Sequence, residues 1–188
     1  MGAMALEVAT ASPLWSTFTA RAALPGAAVM RTASEDTAVG LLRETASQFV
    51  CTASAARAFS RIAEHATHPA EHATHPAEHA TQTTDGPARE VVAAGTFAVA
   101  ESGSVAVNEA RADRGMCFLA ERLWLLVPVH EIVPSIDEAL MRLRELVQAG
   151  APHPLLMSGP SRTADIERVL TVGVHGPRAL VVIVIGHA

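Results

Sequence analysis

Two short stretches hold most of the residues that could do chemistry. SGPSRTADIERVLTVGVHGP, from Ser158 to Pro177, gathers two Gly-Pro pairs, four hydroxyls, two acids and a histidine in twenty residues. Ser158, Ser161 and Thr163 can exchange hydrogen bonds with a polar ligand, and Asp165 can accept one. Gly159 and Pro160 bend the chain so that backbone amides stand beside those hydroxyls. His175, just ahead of Gly176-Pro177, is the side chain best suited to move a proton near neutral pH, and it equally suits a structural hydrogen bond in a turn. Arg162 is the basic residue of GPSRTADIE and could pair with a carboxylate, although a surface salt bridge is the commoner fate. The second stretch is AESGS, Ala100–Ser104. Glu101 stands there at a sharp turn between two apolar segments, and Gly103 would let the backbone come close to a ligand. Glu101 reads either as a ligand-binding or catalytic carboxylate or as an acceptor for backbone amides in a tight loop.

The elements that must position these residues alternate between strand and helix. Pro13 to Leu24 has near-helical apolar spacing and stops at Pro25-Gly26. AAVMRT (Ala27–Thr32) reads as a strand, and Ser34 caps a helix running to about Gln48, with Glu35 and Asp36 in its first turn. Phe49–Thr52 is a second strand and Ser54–Glu64 a second helix. After the turn TTDGP come strands at Glu90–Ala94, Thr96–Ala100 and Ser104–Val107, and a buried one within Glu121–Val133. Ser135 starts a helix to about Gln148, with Ile136, Ala139, Leu140, Leu143, Leu146 and Val147 along its inner face. Pro154–Met157 is a strand, Thr163–Leu170 a short helix with Thr163 as its cap, and Leu180–Ile185 a last strand covered on both faces. The expected fold is an open, mostly parallel α/β sheet with helices on both faces. Residues 1–26 form an N-terminal arm with a lead-in helix, and residues 27–188 form a single domain.

One segment breaks this order. EHATHPAEHATHPAEHATQ, Glu64–Gln82, repeats the heptad EHATHPA twice and begins it a third time. Its five histidines fall at steps of three and four, which on an unbroken helix would make a metal ladder. Pro69 and Pro76 break any such helix, so the repeat reads as a low-complexity surface insert, with metal binding by a histidine-rich protein as the lesser alternative.

Composition removes several functions. All 14 basic residues are arginine, because the sequence contains no lysine, so Schiff-base, Walker-type and Ser-Lys chemistry are excluded. A net charge of −5 without a basic cluster argues against nucleic acid as a partner. Cys51 and Cys117 match no metal or redox spacing and sit in apolar segments, VCTAS and MCFLA, that read as strands with buried thiols. Four thiolates for an iron-sulfur cluster are lacking, no Gly-x-Gly-x-x-Gly fingerprint is present, and no cofactor or metal is expected. No run is long enough to span a bilayer, and the opening MGAMALEVATASP does not read as a signal peptide, which points to the cytoplasm.

GPSRTADIE at Gly159–Glu167, followed by GVHGPRAL at Gly173–Leu180, resembles the C-terminal signature of the LUD-domain family, typified by lactate-utilisation protein C. AVAESGSVAV, Ala98–Val107, is similar to that family's Ala-Glu-Thr-Gly-Thr segment. Ser102 and Ser104 stand where the family has threonines, which keeps the hydroxyls. The resemblance runs over about Ala27–Ile185, and the heptad insert has no counterpart. It implies a fold similar to the sugar-phosphate isomerase and CoA-transferase superfamily. It also implies a role in oxidising L-lactate to pyruvate beside iron-sulfur oxidoreductase subunits, and the carboxylate that Arg162 could pair with would then be one such as lactate's. The Glu101 turn is similar to the glutamate-glycine turn of the fold-related CoA-transferases, whose glutamate accepts an acyl group. A free-standing acyl-CoA or sugar-phosphate enzyme using Glu101 is therefore the alternative function.

From these readings Glu101, Ser158, Ser161, Asp165 and His175 are expected to converge on one cleft at the carboxyl edge of the sheet, with Ser102 and Gly103 beside them.

Overall fold

The computed structural model describes residues 12–46, 48–67, 90–151, 153–164, 170–172 and 176–187. Asp165, His175 and the heptad beyond Thr67 lie outside them. The chain begins with helix α1 (Pro13–Ala23), then β1 (Ala28–Thr32), α2 (Glu35–Thr45), β2 (Val50–Cys51), α3 (Ala53–Ala58) and α4 (Ser60–Ala63). Beyond the insert come β3 (Glu90–Val99), β4 (Ser104–Val107), α5 (Arg111–Leu119), β5 (Arg122–Pro128), β6 (Ile132–Val133), α6 (Ile136–Gln148), β7 (Leu155–Met157), β8 (Arg162–Ala164), β9 (Leu170–Val172) and β10 (Ala179–Ile185).

Eight of these strands form one sheet in the order β1-β10-β5-β3-β4-β7, with β2 and β6 also paired to β3. Every pairing among β1, β10, β5, β3, β2 and β6 is parallel, and β4 is antiparallel to both β3 and β7. The expected architecture is therefore observed, with β4 as its antiparallel member. The reason lies in strand composition. β10 reads ALVVIVI, and its successive side chains enter different cores: Leu180, Val182 and Val184 one, Val181 and Ile183 the other. β5 divides the same way, with Leu123, Leu125 and Val127 against Trp124 and Leu126. A strand apolar at every position must be covered on both faces.

The helices supply the cover. Ala38, Val39 and Leu42 of α2, Ala55 of α3 and Ile62 of α4 pack on the Trp124 side, while Phe18 and Ala22 of α1 and Cys117 of α5 pack on the other. α6 lays Ala139, with Ile136, Leu143 and Leu146, over Phe97, Val99 and Ala106 in a third, smaller core. Ser34, Thr52 and Ser135 each cap a helix by accepting a backbone N–H of Thr37, Ala55 and Glu138.

Four expectations change. The two strands expected within Glu90–Ala100 are one ten-residue strand, β3, which a bulge between Gly95 and Phe97 carries from one set of partners to the next. MCFLA lies in helix α5, where Asp113 and Cys117 sit four apart on the buried side. Leu140 and Val147 of α6 are exposed, because the strand surface beneath that helix is narrow and takes only the stripe through Ala139. The helix expected from Thr163 is replaced by β8 and β9, an antiparallel pair in which Thr163 faces Thr171. Thr163 and Thr171 are β-branched, which favours paired strands at those positions. Thr163 is therefore not a helix cap. The first residues of the repeat also belong to the fold: Thr67 N donates to Phe49 O at 2.9 Å, and Glu64 pairs with Arg61 at 3.0 Å.

Candidate ligand site

β3 ends in the turn Ala100–Gly103 and returns as β4, and β7 ends at Ser158. Because β4 lies between them and opposes both, β3 and β7 run the same way and end at the same edge of the sheet, on either side of the start of β4. Three serines meet there. Ser102 Oγ is 2.8 Å from Ser104 Oγ, which is 2.8 Å from Ser158 Oγ. Ser104 is 3% exposed, whereas Ser158 is exposed and Ser102 half-buried. The result is a chain of hydroxyls anchored in the sheet and ending at solvent, able to donate or accept at its outer end.

The turn itself is held by backbone bonds: Ala100 N to Val133 O, Glu101 N to Pro134 O and Gly103 N to Val99 O. Gly103 has φ +68°, and a Cβ there would overlap the backbone of Arg21 and Ala22. Its missing side chain serves the approach of α1, where a ligand had been expected. The Glu101 carboxylate accepts from Ile136 N, the first amide of α6, at 2.8 Å. This gives Glu101 the role of an acceptor at a helix N-terminus, which the macrodipole favours.

The loop after β7 is packed against two turns. A Cβ on Gly159 would lie 2.9 Å from Pro25 Cβ, and Pro160 and the Arg162 guanidinium flank Gly26. Ser161 N donates to Pro177 O at 2.9 Å, and Ser161 Cβ lies beside Gly176. Pro25-Gly26 precedes β1 and Gly176-Pro177 precedes β10, so the loop joins the carboxyl ends of β3 and β7 to the amino ends of two other strands. Of the residues expected to converge, Ser102 and Ser158 are linked through Ser104, and Ser161 lies in the loop after Ser158 with Gly159 and Pro160, ahead of Arg162 at the start of β8. Glu101 is turned to α6.

A second polar cluster was not legible in the sequence. Glu109 and Asp113, 2% and 7% exposed, follow β4 and meet the residues that follow β2. Glu109 Oε1 accepts from Thr52 Oγ1 at 2.8 Å and from Ser54 Oγ, and Asp113 Oδ2 accepts from Ala53 N at 2.7 Å. Burial pushes the Glu109 carboxyl above the usual carboxylate range, opposed by the hydrogen bonds from Ser54 and Thr52 and reinforced by Asp113. The same burial pushes the Cys51 thiol up to about 12 and raises Cys117 further, so neither is a ready nucleophile. In the sequence the signal of Glu109 and Asp113 is no more than two carboxyls four residues apart behind a buried strand.

Fold and site together define an open α/β protein with a hydroxyl-lined turn at its strand ends. A family model described as LUD domain matches residues 88–185, more than half of the chain, which belongs to that family. Lactate utilization protein C of Geobacillus thermodenitrificans is 35% identical over 98 residues, covering 50% of this chain and 41% of that protein. Lactate utilization protein C of Deinococcus radiodurans is 40% identical over 95 residues, covering 47% and 42%. The chain spans less than half the length of these curated relatives. A crystal structure of a DUF162 family protein from Deinococcus radiodurans aligns with a TM-score of 0.65 at 20% identity, covering 92% of this chain and 96% of that one. That likeness shows the fold.

Proposed function

We propose that the protein is a LUD-domain component of L-lactate utilisation that binds a small polar or carboxylate ligand at the Ser102–Ser104–Ser158 chain. The observation that carries this reading is the chain itself, two hydrogen bonds of 2.8 Å joining the AESGS and SGPSR segments. Arg162, exposed at the start of β8, supplies the positive charge for a carboxylate. Asp165 and His175, which lie outside the described residues, are assigned to proton handling on their residue types alone, and Thr163 is assigned as a further hydroxyl. The names of the relatives supply lactate as the substrate class. Oxidation of lactate removes two electrons, and this chain has no four-cysteine set for an iron-sulfur cluster and no Gly-x-Gly-x-x-Gly dinucleotide fingerprint to receive them. Iron-sulfur oxidoreductase subunits are the partners that would take them, in the cytoplasm, with residues 27–188 acting as one domain behind an N-terminal arm. No helix of the described residues is long and apolar enough to cross a membrane.

The test is reconstitution. The purified chain is expected not to reduce a dye with lactate, and to support lactate-to-pyruvate turnover when iron-sulfur subunits from the same genome are added. Turnover by the chain alone would refute the division of labour, and turnover by the subunits without the chain would refute its role.

A further inference from the structure

An open groove of about 550 Å³ lies where α6 meets the bulged part of β3 and Glu131, the residue ahead of β6. Its volume is within the range of about 300–1,000 Å³ usual for small-molecule sites. Thr96, Phe97, Arg142, Glu145, Leu146 and Ala149 complete the lining. None of these residues belongs to the serine chain or to the Glu109 cluster. The bulge is what brings Thr96 to the groove. Across to β4, Gly95 faces Val107 and Phe97 faces Ala106, so Thr96 is the extra residue and has no partner in that strand. Neighbouring residues of a regular strand point to opposite faces. Here Thr96 and Phe97 both border the groove, and the half-buried Thr96 hydroxyl makes no hydrogen bond to a described residue.

The charges around the groove are unbalanced. Arg142 is three residues before Glu145 and within reach of it along the helix. Its guanidinium is instead held over the Phe97 ring, 5.6 Å from the centroid, by Glu131 at 2.7 Å and Glu138 at 3.4 Å. The exposed Glu145 carboxylate therefore has no ion pair among the described residues. It also stands in the last turn of α6, where the macrodipole is negative and no basic residue is present. A cation is what that position favours, and an acid there costs helix stability until a cation arrives. The lining thus carries two carboxylates, the negative end of a helix and one arginine already shared between two acids. An anion is repelled. A metal ion lacks ligands, since no group of three or more His, Cys, Asp or Glu side chains is placed to hold one among the described residues. An ammonium group fits: Glu145 accepts a charge-assisted hydrogen bond from it, the Thr96 hydroxyl is a second acceptor in the groove, and Leu146 and Ala149 offer a carbon stem an apolar wall.

We propose that this groove is a second ligand site, binding a small primary ammonium compound with an apolar stem and holding its nitrogen at Glu145. Nothing in it rests on the lactate reading, so the two sites fail or succeed separately.

The experiment is an amide-resolved NMR titration of the full chain, at fixed ionic strength, with n-butylammonium. Beside it run n-butanol and butyrate, which carry a similar stem with no charge and with the opposite charge. Butylammonium is expected to shift the amides of Thr96, Glu145 and Ala149 saturably at millimolar concentration, and the other two compounds should leave them unmoved. Glu145→Gln should weaken binding about tenfold. The same variant should melt at the native temperature or above it, because it removes an acid from a helix C-terminus, so its lost binding is not lost folding. No saturable shift in the native protein, equal shifts with butanol or butyrate, undiminished binding by Glu145→Gln, or a lower melting temperature for that variant would each overturn the proposal.

Discussion

Ser104 is the residue on which the serine chain depends, since it touches both other hydroxyls from inside the sheet. Ser104→Ala should cost about 1 kcal/mol of stability, because Ser102 and Ser158 can turn to water once it is gone. Chemical denaturation measures this directly. Glu109 carries a pH signature. Below the unfolded-state value of 4.5 both states hold the proton, and burial imposes no ionisation penalty. As pH rises through that value the unfolded chain releases the proton while the folded chain keeps it, so this group's contribution to stability falls until the folded value is passed. Glu109→Gln has no proton to lose. The variant should therefore gain on the native protein as pH is raised from about 4 to about 7, as read by urea unfolding at each pH. A gap that stays constant, or moves the other way, would show that Glu109 ionises normally. At this scale the sequence was legible where a motif announced itself, as in AESGS and SGPSR. It was silent on Glu109, whose character comes from burial between two strand ends that are far apart in the chain.

Among the elements, the turn between β3 and β4 is the tightest joint. Gly103 combines a positive φ with contact against the C-terminal turn of α1, so Gly103→Ala is both strained and blocked. A loss of more than about 2 kcal/mol is expected, with the melting temperature as the readout. If the loss is small, α1 does not pack there as described. Strands rich in β-branched residues and helices with a capping serine or threonine were readable because their signals are local. β10, α2 and α6 fall where periodicity and caps put them, to within a few residues. The segment after Ser161 was misread because its acids and Thr163 also satisfy the pattern of a capped helix. Tertiary pairing with Leu170–Val172 decides instead. The α5 misreading has a similar origin, since MCFLA by itself is short and apolar and fits either element.

The whole molecule is one mostly parallel sheet whose middle strand, β3, changes neighbours halfway along. That switch creates both polar places, the serine chain at its far end and the buried Glu109 cluster at its midpoint. The sheet's two-faced burial was visible in composition, but the change of partners was not, because it depends on which distant segment pairs with which half of β3. The heptad adds little apolar surface, being alanine, threonine, histidine, glutamate and proline. Removing one repeat, residues 71–77, is expected to leave the melting temperature unchanged, and a drop of several degrees would show that the repeat packs. The central claim is that the Ser102–Ser104–Ser158 chain holds a lactate-like ligand, and it is tested most directly by calorimetric titration of L-lactate into the full chain and into Ser104→Ala. The account predicts saturable binding to the native protein, weakened about tenfold or more in the variant. Equal binding by the two proteins, or none by the native protein, would contradict it.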